Sequence, residues 1–318
     1  MAKPVVAVLE GASPVFGLER ISNRAEIRVV SAGGLARAIP GADVLFLWDF
    51  FSPEVAEVLR RPHDLEWIHV SATGVDKLLV PELVESSVVL TNAHGVFDRP
   101  IAEYVLTCIG ALMKQLPLSF QLQGLRQWNT RETRNLFGLE VLVVGAGGIG
   151  RATARLLSAV GMKVELMGMR ERVDPEFGLI HSSSDLAGRV GAVDVVVMAT
   201  PLTDGTENLL SESVIDAFRP GSYLVNVGRG LTVDQQALIR ALAEGRIAGA
   251  ALDTFQFEPL PIDDQLWRLP NVFVSPHMSS RTEGWLEALT SQFCVNFQAW
   301  QSGGTMSGVV DKRLGFVR

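Results

Sequence analysis

Residues 141–150 read VLVVGAGGIG, and their glycines have the spacing of a phosphate-binding turn. Gly145, Gly147 and Gly150 fit the pattern G-x-G-x-x-G, with an apolar β-branched run before them and helical spacing from Arg151 onward. In such a unit the first glycine takes the tight turn, the second lets the backbone approach a pyrophosphate, and the third lets the helix pack against the strand. The helix N-terminus then attracts the diphosphate. The stretch predicts a dinucleotide-binding site in preference to an ordinary glycine-rich turn.

Strand-like apolar runs alternate with helical segments along almost the whole chain, which is typical of parallel α/β sheets. The first series of strands is expected at residues 4–9, 27–31, 44–48, 67–70 and 88–91. A second series has the six strands of a complete dinucleotide-binding domain. It is expected at residues 141–144, 164–167, 193–199, 223–227, 249–252 and 272–274.

A long amphipathic stretch at residues 99–116 lies between the two series. Its apolar residues recur at spacings of three and four, so we expect one helix that links two domains and ends at Pro117. Residues 117–138 are polar and irregular and are expected to form a connecting arm. A final helix with one apolar face is expected at residues 282–300.

Composition excludes several classes of partner. The 318 residues are 47% hydrophobic and 20% charged, which suits two globular domains of ordinary size. A formal net charge of -7 provides no electrostatic footprint for nucleic acid or anionic membrane. No apolar run reaches the about 20 residues that a membrane span needs, and the N-terminus lacks a signal-peptide pattern. With Cys108 and Cys294 interpreted as buried thiols, we expect a cytoplasmic protein.

Three further motifs, together with the glycine turn, resemble those of the NAD(P)-dependent D-isomer-specific 2-hydroxyacid dehydrogenases. They are VNVGRG at 225–230, DTFQFEPLP at 253–261 and SPHM at 275–278, and the likeness extends over nearly the whole chain. It implies an α/β fold of two Rossmann-like parallel-sheet domains. A cofactor domain of residues 96–284 would be inserted into a discontinuous, flavodoxin-like substrate domain of residues 1–95 and 285–318. The active site would lie in the cleft between them.

The resemblance also implies a mechanism. Reduction of a 2-keto acid needs a hydride at the carbonyl carbon, which only the nicotinamide can supply, and a proton at the carbonyl oxygen. His277 is the expected proton donor, because imidazole titrates near neutral pH, and Glu258 would orient its ring and favour the charged form. Arg229 would clamp the substrate carboxylate and polarise the keto oxygen. Without the resemblance, each of the three is also compatible with an ordinary structural role.

Further contacts are expected on the same basis. Backbone N–H groups around Thr73 and Gly74 would hold the substrate carboxylate. Asp253 would lie near the nicotinamide carboxamide, with Thr200 and Pro201 beside the cofactor ribose. The expected cofactor-binding residues are Gly145, Gly147, Gly148, Ile149, Gly150, Met169, Arg170, Thr200, Pro201, Val227, Gly228, Asp253 and His277. No motif with metal-ligand spacing is present in the sequence.

The end of the second cofactor-domain strand departs from the NAD pattern. NAD-preferring members carry an acidic residue there, about 20 residues after the glycines, which bonds the ribose hydroxyls. By alignment with the family, Gly168 takes this position, and Arg170 and Arg172 follow it. Because an arginine can pair with a 2′-phosphate, we predict that NADP is preferred over NAD. Glu165 and Glu171 are the alternatives that could serve the ribose of NAD.

The resemblance is closest to the glyoxylate/hydroxypyruvate reductase branch, which favours small 2-keto acids as substrates. The arginine-rich turn, the Pro-Leu-Pro that ends at 261 and Leu266-Trp267 carry this similarity. Relatives pair through the linking helix and the 117–138 arm, so a homodimer is expected. Four residues after a first-domain strand could shape the pocket, although an ordinary core or loop role is favoured: Trp48, Asp49, Phe50 and Phe51.

Two other functions remain open. Formate dehydrogenase shares this architecture, but that branch carries glutamine where Glu258 stands, so the acid argues against it. A dinucleotide-sensing binding protein, like the C-terminal binding protein corepressors, would hold the cofactor without turnover, and we find no peptide-groove signature. A metal-dependent hydrolase lacks support, since neither H-E-x-x-H nor G-x-S-x-G occurs.

Overall fold

The chain divides into two compact units in the computed structural model, which describes residues 2–11, 13–49, 52–61 and 63–317. The first unit comprises Met1–Phe97 and Glu283–Arg318, and the second comprises Asp98–Thr282. Each boundary lies two residues from the boundary expected from the sequence.

The strands are β1 (Val5–Leu9), β2 (Glu26–Val30), β3 (Val44–Leu47), β4 (Trp67–Val70), β5 (Val89–Asn92), β6 (Glu140–Val144), β7 (Lys163–Gly168), β8 (Arg172–Asp174), β9 (Gly178–Ser182), β10 (Val195–Met198), β11 (Ser222–Asn226), β12 (Ile247–Leu252), β13 (Val272–Val274), β14 (Val310–Asp311) and β15 (Phe316–Val317). The strands β1–β7 and β10–β13 coincide with the predicted apolar runs, whereas β8, β9, β14 and β15 were not predicted. The α-helices are α1 (Leu35–Ala38), α2 (Glu54–Leu59), α3 (Pro81–Glu85), α4 (Asp98–Met113), α5 (Leu116–Gly124), α6 (Gly148–Ala159), α7 (Leu186–Val190), α8 (Glu212–Asp216), α9 (Gln235–Ala243) and α10 (Trp285–Ser302).

The first unit is built on a parallel five-stranded sheet in the order β2-β1-β3-β4-β5. The strands β3 and β4 are buried along their whole length, which explains why β3 is entirely apolar and β4 is apolar except for His69. Helix α10 packs aromatic rings on this sheet: Phe293 stacks on Phe46 with ring centroids 4.0 Å apart and on Trp67 at 5.3 Å. The strand order is that of a flavodoxin-like sheet, so the predicted α/β fold is confirmed for this unit.

The second unit contains an eight-stranded sheet in the order β13-β12-β11-β10-β6-β7-β9-β8. All its neighbours pair in parallel except β8 and β9, which are antiparallel. The run from β9 to β12 has the strand order of a dinucleotide-binding fold, so the Rossmann-like prediction is also confirmed. The predicted set of six strands was incomplete, because it lacked β8 and β9. The strand β8 forms the edge of the sheet and β9 lies next to it, and both contain glycine or polar residues instead of a continuous apolar run.

The linking helix is shorter than predicted. It ends at Met113, and Gln115 has a left-handed backbone (φ 50°) that interrupts the helical path. A separate helix α5 then begins, with Pro117 in its first turn, where the missing N–H costs nothing. The arm at 117–138 is therefore helical as far as Gly124, not irregular throughout.

The helices α4 and α5 meet at Gln115 and are bent relative to each other. Among the described residues no single helix is long and apolar enough to span a bilayer. The pair α4 and α5, bent by 60°, meets that test only when the two are taken together. The apolar face of α4 is buried within the protein.

Candidate active site

The glycine turn has the tight geometry that its sequence predicts. Gly145 has a φ of 118°, and a Cβ atom there would lie 2.5 Å from the Ala199 carbonyl oxygen. A Cβ on Gly150 would lie 1.7 Å from the carbonyl oxygen of Gly145, so only glycine allows α6 to approach the strand this closely. The N-cap residue of α6 is Gly147, which has no side chain that could cap the first N–H groups. This turn therefore fits a pyrophosphate.

Gly148, the first residue of α6, also makes a close approach. A Cβ there would lie 2.3 Å from a carboxylate oxygen of Asp98, the first residue of α4. The absence of a side chain at Gly148 lets α4 pack against α6. The glycine turn is thus supported by the helix that begins the second unit.

His277 and Glu258 form a hydrogen-bonded pair. The distance from His277 Nδ1 to Glu258 Oε2 is 2.8 Å, and about one third of each side chain is exposed. The second carboxylate oxygen, Oε1, accepts the Phe255 N–H at 3.0 Å. Burial alone would raise the pKa of Glu258, but the bonds from His277 and Phe255, with the positive charges of His277 and Arg229, lower this pKa below its ordinary value. The carboxylate thus stays charged and holds one ring nitrogen.

Arg229 lies on a loop that packs directly against the segment leading to Glu258. A Cβ on Gly230 would lie 1.9 Å from the carbonyl carbon of Phe255, and one on Gly228 would lie 2.7 Å from the Thr200 carbonyl oxygen. The guanidinium donates a hydrogen bond to its neighbour Gly228 at 3.0 Å. The predicted trio of His277, Glu258 and Arg229 therefore belongs to one unit, the unit that also holds the glycine turn.

Asp253 is a buried carboxylate beneath the His277 loop. It is 1% exposed and accepts three hydrogen bonds, from the Ser275 hydroxyl at 2.7 Å and from the N–H groups of Met278 and Ser279 at 2.9 Å each. These donors flank His277 on both sides. Asp253 was predicted to lie near the nicotinamide carboxamide, and its hydrogen bonds in the structure support the loop that carries His277.

Two more expected cofactor contacts lie beside the glycine turn. Thr200 is buried, and its hydroxyl oxygen has no hydrogen-bond partner among the described residues. Thr206 holds the following loop, with its hydroxyl donating to the Pro201 carbonyl oxygen at 2.6 Å. Val227, at the end of β11, is also buried.

The first unit holds the predicted substrate-binding residues Thr73 and Gly74, and Trp48. Thr73 and Gly74 are half-buried, and the Thr73 carbonyl oxygen accepts a hydrogen bond from Asn92 Nδ2 at 2.5 Å. Trp48 is buried, and its Nε1 donates to the Ser13 carbonyl oxygen at 2.9 Å, which indicates a core role. Phe50 and Phe51 lie outside the described residues.

In the segment after β7, arginines lie next to Gly168, the position at which NAD-preferring members carry an acidic residue. The Arg172 guanidinium lies over Gly168, with Nη1 3.0 Å from the place of a Cβ. Met169 is 53% exposed, and Arg170 is exposed beside it. Glu165, one alternative for the ribose, is paired instead with Arg189 at 2.8 Å.

The comparisons with known proteins agree with one another. A family model described as the NAD binding domain of D-isomer specific 2-hydroxyacid dehydrogenase matches residues 106–279. Glyoxylate reductase of Thermofilum pendens is 31% identical, covering 83% of this chain and 80% of that protein. Glyoxylate/hydroxypyruvate reductase A of Arabidopsis thaliana is 30% identical, covering 79% and 80%.

Solved structures show the same likeness. The D-isomer specific 2-hydroxyacid dehydrogenase from Xanthobacter autotrophicus Py2, in complex with NADPH and MES, is 27% identical with a TM-score of 0.83, covering 99% of this chain and 100% of that one. An NADPH-dependent glyoxylate/hydroxypyruvate reductase from Sinorhizobium meliloti, in complex with NADP and malonate, is 26% identical with a TM-score of 0.82, covering 100% and 99%.

Proposed function

Because the chain belongs to the D-isomer specific 2-hydroxyacid dehydrogenase family, we propose that it reduces a small 2-keto acid, of the glyoxylate or hydroxypyruvate type, to the D-2-hydroxy acid with NADPH. Membership confirms the family predicted from the motifs. The protein is an oxidoreductase that uses a nicotinamide dinucleotide. The particular substrate, the histidine chemistry and the preference for NADPH are the proposed parts.

The observation that carries the proposal is the His277–Glu258 pair. The Glu258 carboxylate can only accept, so His277 Nδ1 carries a proton toward it and Nε2 is left for the substrate. In the proposed reaction Nε2–H donates to the keto oxygen, and Glu258 stabilises the charged ring before the transfer. The cofactor, when bound, supplies the hydride. Arg229 binds the substrate carboxylate and polarises the adjacent carbonyl.

Oxidation of NADPH in the presence of glyoxylate, hydroxypyruvate and bulkier 2-keto acids tests the activity. We expect turnover to be highest with the small acids. His277→Asn should lower kcat by about 10²- to 10⁴-fold and leave NADPH affinity unchanged. Near-normal turnover in this variant would contradict the role of His277. Cofactor binding without turnover of any acid would favour a dinucleotide sensor instead.

The proposed preference for NADPH rests on Gly168 and Arg172. The guanidinium over Gly168 provides a positive charge where NAD-preferring members carry an acid, while Glu165 is already paired with Arg189. We expect kcat/KM to favour NADPH and Arg172→Gln to lower it by about tenfold or more without affecting NADH. Equal or NADH-favoured values in the parent protein would refute the preference.

We also propose a homodimer through the arm. Residues of α5 and the arm expose large apolar side chains: Phe120 is 69%, Leu125 66% and Trp128 95% exposed. The arm itself is held in place, since Arg131 donates to Gln115 Oε1 at 2.8 Å. Sedimentation should show a dimer that Trp128→Glu converts to a monomer. Ile262→Glu, at a residue 97% exposed in another loop, is the matched control and should leave the dimer intact.

The role of Thr73 and Gly74 in binding the substrate carboxylate is proposed from the resemblance. Within the first unit, Asn92 fixes this turn through the Thr73 carbonyl oxygen. Asn92→Asp removes the donor and should raise KM for the keto acid while the affinity for NADPH is unchanged.

A further inference from the structure

A chain of hydrogen bonds leads from α4 to the loop of His277. His277 has a left-handed backbone with φ 49°, a conformation that residues other than glycine adopt at a cost in free energy. The residues on either side of it are tied to the Asp253 carboxylate by the Ser275 hydroxyl and the Met278 N–H. The loop conformation therefore depends on this one buried carboxylate.

The chain continues beyond Asp253 to a tyrosine. The Tyr104 hydroxyl on α4 hydrogen-bonds to Ser275 Oγ, across 171 residues of sequence. The hydroxyl proton of Ser275 is directed to Asp253, because a carboxylate can only accept. Tyr104 must therefore donate to Ser275. Cys108 is buried one turn further along α4.

Burial keeps this network in a single protonation state. It raises the pKa of the Tyr104 hydroxyl well above its ordinary value and that of the Cys108 thiol to about 12. Both groups thus remain protonated near neutral pH, and the direction of the hydrogen bonds is fixed. A satisfied buried network of this kind makes the geometry that it supports rigid.

We propose that Tyr104 and Ser275 are positioning residues that act through Asp253 to hold the His277 loop in its reactive conformation. The inference rests on the proposed role of His277 as proton donor. In this arrangement α4 sets the direction of the imidazole, although none of its residues need touch the substrate. Losing either hydroxyl leaves the Glu258 pair intact but releases the backbone that carries the ring.

We call the chain of hydrogen bonds from Tyr104 through Ser275 to Asp253 the positioning relay. Steady-state kinetics of Tyr104→Phe and Ser275→Ala test this relay. Each should lower kcat about 3- to 10-fold, the effect of one hydrogen bond, while KM and NADPH affinity are unchanged. The double variant should lose no more than Ser275→Ala alone, because Tyr104 acts through Ser275. Ser275→Thr, which keeps the hydroxyl, should restore kcat.

Matched controls lie side by side on β11. Tyr223→Phe removes the other of the two tyrosines in the chain, and Ser222→Ala removes a buried hydroxyl that has no hydrogen-bond partner among the described residues. Neither should change kcat. Unchanged kcat in both relay variants, or a loss of equal size in the controls, would overturn the proposal.

A second measurement separates this inference from the proposed function. The rate at which diethyl pyrocarbonate modifies His277, followed by mass spectrometry, does not require turnover. It should rise in Tyr104→Phe and Ser275→Ala and not in the β11 controls. If the parent protein reduces no keto acid, the proposed function fails, and the modification rates still decide the relay. Equal rates in parent, relay variants and controls would refute it.

Discussion

Glu258 is the residue whose charge decides what His277 can do. Its pKa lies below the ordinary value because the bonds from His277 and Phe255 and the nearby positive charges outweigh the effect of burial. A carboxyl group with a lowered pKa contributes its stabilisation above its unfolded pKa and loses it as the pH falls through the folded pKa. The pair is therefore intact at neutral pH and breaks only in acid.

Glu258→Gln tests this charge while keeping a hydrogen-bond acceptor. Since a carboxylate favours the charged form of a neighbouring imidazole, its loss should lower kcat for keto-acid reduction by about tenfold or more. Steady-state rates of parent and variant check this, and an equal kcat in the two proteins would contradict it.

Arg229 provides a second prediction for a single residue. Its fork of donors can bind a carboxylate with two bonds, which a lysine ammonium cannot reproduce. Arg229→Lys should therefore raise KM for the keto acid and lower kcat together. Arg246→Lys, at a surface arginine paired with Asp216 and Glu244, serves as the control. Unchanged kcat and KM in Arg229→Lys would remove this residue from the substrate site.

At the level of elements, the site depends on loops that touch through glycine. The Arg229 loop and the segment that leads to Glu258 meet at Gly230, where a Cβ would lie 1.9 Å from the Phe255 carbonyl carbon. A methyl group cannot fit against this backbone without moving one of the loops. The positions of the Arg229 and Glu258 side chains are thus coupled through one residue.

Gly230→Ala should separate these loops. We expect a loss of about 1–3 kcal/mol in the free energy of unfolding and a larger loss of kcat than of NADPH affinity. Gly110→Ala is the control, because the space around a Cβ there is open and alanine favours the helix α4. Urea unfolding and steady-state kinetics measure both effects. Full activity in Gly230→Ala would show that the contact is not required.

The sequence predicted some elements well because their physical signals are local. The glycine spacing fixed the turn before α6, and continuous apolar runs located the buried strands. The strands β8 and β9 were missed because these short strands at the end of the sheet have no continuous apolar run. The break at Gln115 was missed because its left-handed backbone leaves no compositional trace.

The site itself was predictable only in part. His277, Glu258 and Arg229 came from motif resemblance, since each residue alone has an equally simple structural explanation. The contact between Tyr104 and Ser275 joins residues 171 positions apart, and no spacing rule relates them. Such contacts arise from the packing of α4 on the sheet, which only the fold reveals.

At the scale of the whole molecule, the two units differ in where their titratable side chains lie. In the second unit the charged groups of the candidate site lie on loops, whereas the first unit encloses a histidine in its aromatic core. His69 is fully buried beside Phe46, Trp67 and Phe293, and its Nδ1 lies 2.7 Å from Thr91 Oγ1. Its Nε2 has no hydrogen-bond partner among the residues that the structure describes.

This histidine makes the stability of the protein depend on pH. Burial lowers the pKa of His69 from 6.5 to about 3, so below pH 6.5 the unfolded chain binds a proton that the folded chain does not. The contribution of His69 to the free energy of unfolding is complete above the unfolded pKa and falls by about 1.4 kcal/mol per pH unit as the pH drops toward the folded pKa.

His69→Phe removes this contribution to the pH dependence of stability, and the aromatic neighbours accommodate the ring. Urea unfolding at several values between pH 6.5 and 5 should show a shallower decline in the variant than in the parent, because carboxyl groups titrate equally in both. Parallel declines would mean that the buried ring does not resist protonation.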